Sequence, residues 1–308
     1  MNVLSLFDGI GCAQLALRRI GIKPELYFAS ETDPAAIRIS MQHFPRTIQL
    51  GDVRSITSRI LPRIDLLIGG SPCQGFSRAG KELNFQDPRS SLFFEYVRLL
   101  KELNPKYFLL ENVKMRNEYQ DIISGFLGVQ PIMIDSNLVS AQNRKRLYWT
   151  NIGDIEQPRD RGIMLGDIVQ ANVDDYFYIA RDRWGAIIET YIVQNTTCVA
   201  ITERRTAEAR RIRKKMRLEH GIDHTPHRAK EPVARRDGKM NTLTATFNMK
   251  EHTLIDAGGR YRKLTPVEFE ALQTIPPQYT GIASNSKRYK LIGNAFTVDV
   301  IAHILNHI

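Results

Sequence analysis

Cys73 stands in the stretch Gly69-Gly70-Ser71-Pro72-Cys73-Gln74-Gly75-Phe76-Ser77, directly after an apolar run. A lone cysteine is usually a small buried hydrophobe. Between proline and glutamine and among glycines a thiol is hard to bury, and such a loop suits a nucleophile. Glu111-Asn112-Val113 closes a second apolar run and would face the same crevice. Gln142-Asn143-Arg144-Lys145-Arg146 enters a third, where strand alternation sends Arg144 and Arg146 to one face and Lys145 to the other. Near the N-terminus, Phe7-Asp8-Gly9-Ile10-Gly11 lies where a first strand meets a first helix. Glycines at such a junction let backbone N–H groups approach a ligand, although two glycines fall short of the full dinucleotide fingerprint. Glu31 ends a second strand, where an acid accepts from ribose hydroxyls, and Asp52 ends a third, where it can accept from an adenine amino group. Three successive strand ends with suitable groups point to an adenosine-type cofactor.

These residues need a scaffold, and the first 150 positions supply one. Apolar runs at 2–7, 25–30, 47–51, 65–70, 107–112, 131–135 and 146–152 alternate with amphipathic stretches at 13–19, 35–43, 92–103 and 119–127. That alternation predicts a doubly wound, mostly parallel α/β sheet of Rossmann type, which binds ligands outside the carboxyl ends of its strands. From Asp154 to about Gly259 the chain is basic and irregular, with one charged helix over 206–220. A helix then follows Thr265 as N-cap with Pro266 at its first position, and an apolar helix over 296–308 ends the chain. The expected organisation is a catalytic domain at 1–153, a smaller substrate-facing domain at 154–258, and a segment at 259–308 that returns to the first.

The 308 residues are 43% apolar and 25% charged, the composition of an ordinary folded protein. No stretch of ~18 apolar residues would span a membrane, and the start MNVLSLFDGIG lacks the basic opening of a signal peptide. Cys12, Cys73 and Cys198 form no CxxC pair, so neither a metal site nor a disulfide framework is expected, and a cytoplasmic or nucleoid-associated setting is. Net charge is +10, and residues 181–240 alone carry 15 Lys/Arg against 8 Asp/Glu. A local excess of that size suits a polyanion such as nucleic acid.

Taken in order, these motifs resemble the DNA cytosine-5 methyltransferases. Phe7–Gly11 resembles the family's cofactor loop, Pro72-Cys73-Gln74 its catalytic loop, and Glu111-Asn112-Val113, Gln142-x-Arg144-x-Arg146, Arg262–Gln273 and Gly293-Asn294-Ala295 its later motifs. Only residues 154–258 lack a match, and there the family varies with its target. The resemblance implies S-adenosyl-L-methionine as cofactor, held by Phe7, Asp8, Gly9, Ile10, Gly11, Glu31, Thr32, Asp52, Val53, Pro72, Asn294 and Ala295. It implies catalysis by Cys73, Glu111, Arg144 and Arg146, and DNA contacts by Gln74, Ser77, Arg78, Thr242 and Leu243. Arg228, Arg235 and Arg236 are further candidates for reading bases, and sequence does not choose among them. Thr32 stands where many members carry a bulky apolar residue, and Ala295 replaces a commoner serine.

The implied chemistry is thiolate addition of Cys73 to cytosine C6, which places electron density on C5. Glu111 would hold N3 and the exocyclic amino group, N3 contact needing a proton on the carboxyl. Arg146, with Arg144 nearby, would bind O2. No metal is required, the expected partner is double-stranded DNA met by a monomer, and the base must be flipped out to be reached. Two alternatives share these motifs: a transfer-RNA cytosine-5 methyltransferase, and a catalytically dead, cofactor-binding DNA regulator. The Cys-Phe-Thr signature of the transfer-RNA subgroup is absent, and the intact Cys73, Glu111 and arginines weigh against the dead reading.

Overall fold

The computed structural model describes residues 1–71, 88–179, 198–221, 229–246 and 252–308. Its larger sheet has seven strands: β1 (Asn2–Leu6), β2 (Leu26–Ser30), β3 (Ile48–Gln49), β4 (Leu66–Gly69), β5 (Tyr107–Val113), β6 (Ile132–Asp135) and β7 (Lys145–Thr150). Their order is β3-β2-β1-β4-β5-β7-β6. The first five are parallel, and β7 lies antiparallel to both β5 and β6. Chain direction across the sheet reverses between β1 and β4, so the crevice at their carboxyl ends is the switch point where such sheets bind ligands.

Side-chain alternation divides each central strand between two cores. Val3, Leu66, Ile68 and Leu109 join one apolar cluster, while Leu4, Leu6, Leu67 and Leu110 join the other. Strands buried on both faces need such nearly continuous apolar runs. Helices α1 (Cys12–Arg19) and α2 (Pro34–His43) cover the first face; α3 (Pro88–Leu103) and α4 (Asn117–Leu127) cover the second. Helix α2 starts sharply because the Asp33 carboxylate accepts from the Ala35 and Ala36 N–H groups and Pro34 fills the first helical position.

After a short helix α5 (Leu165–Ile168), the basic stretch holds β8 (Val199–Arg205), α6 (Ala207–His220), β9 (Lys230–Ala234) and β10 (Thr253–Ile255). These strands and β11 (Tyr261–Lys263) form an antiparallel sheet in the order β11-β10-β8-β9. This sheet is more order than the sequence pattern announces. Helix α6 is capped at both ends, by the Thr206 hydroxyl and by Gly221 in the left-handed conformation, yet Ala209 is its one buried residue. The chain then forms α7 (Pro266–Leu272), α8 (Asn285–Asn294) and α9 (Val298–Leu305). Val300, Ile301 and Ile304 of α9 enter the core cluster of β1, α1 and α2, and Asp299 pairs with Arg19 of α1. Helix α9 thereby packs with α1 against one face of the first sheet. Among the described residues no helix is long and apolar enough to cross a membrane.

Candidate active site

The β1–α1 loop turns on three residues with left-handed backbone, Phe7 (φ 57°), Gly9 (φ 60°) and Gly11 (φ 80°). A Cβ at Gly11 would lie 2.9 Å from Ser40 Oγ of α2, so the loop packs tightly there, whereas Gly9 faces nothing nearer than its own loop at 4.0 Å. Glu31 lies across from it at the end of β2. One carboxylate oxygen accepts from Gly9 N at 2.9 Å, and the other from Thr32 N at 2.7 Å and Asp33 N at 2.8 Å. Glu31 thus couples the loop to the β2 end.

Asp8 is placed differently from its neighbours. Its side chain points inward, accepting from Tyr27 Oη at 2.7 Å and Ser40 Oγ at 3.5 Å. Burial pushes this carboxyl up to about 6, with the Tyr27 and Ser40 hydrogen bonds opposing the rise. Only the Asp8 backbone is left to face a cofactor. Asp52, at the end of the third strand, behaves in the opposite sense: the Arg54 guanidinium hydrogen-bonds its carboxylate and lowers it to about 2. Val53 is buried beneath it.

The far wall comes from the C-terminal segment. A Cβ on Gly70 would lie 2.9 Å from the Phe296 ring and 3.3 Å from Glu111 Oε2, so only a glycine lets the end of β4 pack this closely against Phe296 and Glu111. Asn294 ends α8 and Ala295 caps it, immediately before Phe296. Beneath the β1–α1 loop, Tyr279 Oη donates to the Ile10 carbonyl at 2.8 Å while its ring stacks on His43 at 3.8 Å. No local pattern links Tyr279 with Ile10, which lie 269 positions apart. An open glycine at Gly9 and a carboxylate at the β2 end suit an adenosine-containing cofactor.

Glu111 and Arg146 meet at the edge of this crevice. Arg146 Nε lies 3.0 Å from Glu111 Oε1, with 12% and 13% of the side chains exposed. Arg144, which the sequence pattern groups with Arg146, is engaged elsewhere. Its guanidinium is 3% exposed and donates to the carbonyls of Leu243 (2.9 Å), Ala295 (3.0 Å) and Gly293 (3.3 Å). That geometry fits a brace better than a group touching substrate. Gln142 is likewise fully buried and bonded to Leu272, Gln273 and Leu243.

Pro72, Cys73, Gln74, Ser77, Arg78 and Arg228 lie outside the described residues. Of the other expected DNA contacts, Thr242 donates through Oγ1 to the Asn143 carbonyl, and Leu243 is 1% exposed. Arg235 is tied to Asp237 and, at 3.0 Å, to Asn241 Oδ1, so it would have to leave these partners to read a base. Arg236 is exposed. Among the described residues no group of three or more His, Cys, Asp and Glu could hold a metal ion.

A model of the C-5 cytosine-specific DNA methylases matches residues 1–308 of the chain. The chain belongs to that family. As a C-5 cytosine-specific DNA methylase it is 30% identical to the type II methyltransferase M1.ScrFI of Lactococcus lactis subsp. cremoris, over 97% of this chain and 76% of the relative. It is 40% identical to the orphan methyltransferase M.SPRI of Bacillus phage SPR over 49% of this chain, a match that spans only 38% of the phage protein. The Entamoeba histolytica methyltransferase EhMeth has the same fold, with a TM-score of 0.66 and 17% identity over 100% of this methylase and 97% of that chain.

Proposed function

We propose that this chain transfers a methyl group from S-adenosyl-L-methionine to C5 of cytosine in duplex DNA. The Glu111–Arg146 pair carries the reading. The Watson–Crick edge of cytosine presents O2, N3 and the exocyclic amino group in sequence. A guanidinium 3.0 Å from a carboxyl group suits that edge, with Arg146 donating to O2 and Glu111 accepting from the amino group and, when protonated, donating to N3. Both side chains stand at the carboxyl end of the parallel strands, with Glu111 Oε2 close to Gly70.

S-adenosyl-L-methionine supplies an electrophilic methyl group when bound. Glu31 and Asp52 would hold its ribose and adenine, with Phe7, the Asp8 backbone, Gly9, Ile10, Gly11, Thr32, Val53, Pro72, Asn294 and Ala295 around it. The Cys73 thiolate adds to C6 of the flipped base, forming the Cys73–C6 bond and pushing an electron pair toward C5. Arg146 stabilises the charge that develops on O2, and a protonated Glu111 donates to N3. After transfer, a base removes the C5 proton, the electron pair re-forms the C5–C6 double bond and the Cys73 thiolate leaves. Arg144 acts by bracing the loops around the site.

We further propose that 154–258 is the region that meets DNA and that 259–308 returns to the catalytic domain after its first strand, β11, which completes the smaller sheet. Supporting this, α6 carries Arg210, Arg211, Lys214, Lys215 and Arg217 exposed on a helix with one buried residue, a surface suited to phosphates. The test is incubation with labelled S-adenosyl-L-methionine and, separately, plasmid DNA or bulk transfer RNA, followed by bisulfite sequencing of the plasmid. Label in plasmid DNA at one recurring cytosine context is expected. Label confined to transfer RNA would favour the transfer-RNA reading, and cofactor binding without transfer the regulator reading.

A further inference from the structure

Two loops that serve different ligands in the proposed function touch through one buried junction. On the side assigned to DNA runs 241–244, and on the side assigned to the cofactor runs 293–295. Arg144 spans them, with Nη1 on the Leu243 carbonyl at 2.9 Å and Nη2 on the Ala295 carbonyl at 3.0 Å. Gln142 binds the same DNA-side loop through the Leu243 N–H at 2.9 Å, and joins Gln273 at 3.1 Å. Gln273 in turn donates to the Ala295 carbonyl at 3.1 Å. The two backbones have no slack between them: a Cβ on Gly293 would stand 2.2 Å from the Thr244 carbonyl oxygen.

Such a junction transmits displacement. The loops share donors in a water-excluded interior, where an unmade hydrogen bond costs about 1–3 kcal/mol. A shift of one loop either strips Arg144 of an acceptor and Gln142 Oε1 of the Leu243 N–H that donates to it, or carries the other loop with it. The planar guanidinium enforces this, because its donors are fixed relative to one another.

We propose that Arg144 is a positioning residue that makes cofactor binding and DNA binding interdependent. The inference rests on the proposed function for the identity of the two ligands. A ligand that orders 293–295 orders 241–244 through the shared guanidinium, and the reverse holds by linkage.

The test uses S-adenosylhomocysteine, which permits no turnover, and a duplex carrying the cytosine site mapped by the bisulfite experiment. In the wild-type protein, saturating S-adenosylhomocysteine tightens duplex binding by about ten-fold, and the duplex tightens S-adenosylhomocysteine by the same factor. In Arg144→Lys the charge remains but the fork is lost, and the factor falls below about two-fold while each ligand still binds alone. A merely structural role would weaken both affinities and leave their ratio intact, which overturns the proposal, as does the absence of any such factor in the wild type. Should Arg144→Lys fail to fold, amide exchange in the wild type decides: S-adenosylhomocysteine slows the Leu243 N–H along with Gly9 and Gly11. Slowing at Gly9 and Gly11 alone overturns the coupling. No binding of S-adenosylhomocysteine by the wild-type chain overturns this inference and the proposed function together.

Discussion

Arg146 Nε reaches Glu111 Oε1 at 3.0 Å along a diagonal of the sheet, since Glu111 faces Tyr148 in register and Arg146 faces Val113. Diagonal neighbours on antiparallel strands are within reach of long side chains, and here the arginine uses that reach to meet a carboxylate. Its backbone carbonyl environment adds one further partner, Lys145, to Nη1 at 3.0 Å. Glu111→Gln removes the charge and keeps the shape, and is expected to reduce kcat by about 100- to 1,000-fold, the scale for one group stabilising a transition state. Arg146→Ala is expected to do the same with weaker DNA trapping. Single-turnover transfer of labelled methyl groups checks both, and rates within two-fold of wild type would remove the pair from the mechanism.

Asp8 gives a stability prediction with a definite sign. Its carboxyl is raised from 3.8 to about 6 by burial, so the folded state holds its proton more tightly than the unfolded chain does. The group therefore costs nothing below pH ~4 and increasingly destabilises the fold as pH rises through ~6. A shift of this size corresponds to about 3 kcal/mol. Asp8→Asn should accordingly gain on wild type by up to that amount between pH 4 and pH 7.5. Urea unfolding at the two pH values checks it, and a pH-independent difference contradicts it.

These two cases show what sequence could and could not reveal. The strand at 2–6 and the helix at 12–19 are legible because burial on both sheet faces selects a largely apolar run, with Ser5 inside it, followed by a 3.6-residue pattern. Helix α8 is not: Ser284-Asn285-Ser286-Lys287-Arg288 opens it with polar residues, and tertiary burial of Arg288 against Glu270 decides the outcome. The small sheet escapes notice because β10 and β11 have three residues each and β9 carries charge and proline. Arg144 and Arg146 look equivalent by alternation, and only the approach of 243 and 293–295 from distant sequence separates a brace from a substrate-facing group. The inward turn of Asp8 likewise depends on Tyr27 and Ser40.

Glu31 binds three backbone N–H groups besides any ribose. Glu31→Ala is expected to weaken S-adenosyl-L-methionine binding by about 1.5–3 kcal/mol, from the lost charged hydrogen bonds, and to raise KM more than it lowers kcat. Calorimetry of the variant checks this; unchanged affinity contradicts it.

Lys214 and Lys215 lie exposed on α6, with Lys215 only 3.9 Å from Glu219. If the helix grips phosphates, replacing both by Gln weakens binding to every duplex and lowers the slope of log K against log salt by up to about 2. The methylated cytosine context stays the same. A changed context would make α6 a reader of bases.

Covalent attack by Cys73 on cytosine C6 can be trapped. Duplex DNA copied with 5-fluorodeoxycytidine triphosphate carries a fluorine that cannot leave as the C5 proton does, so the adduct formed after methyl transfer persists. With S-adenosyl-L-methionine present, the account predicts a protein–DNA species stable to denaturing electrophoresis, with the nucleotide mapped by mass spectrometry to the peptide containing Cys73 and lost in Cys73→Ala. No adduct from a protein that methylates ordinary duplex DNA, or an adduct mapped to another residue, would contradict it.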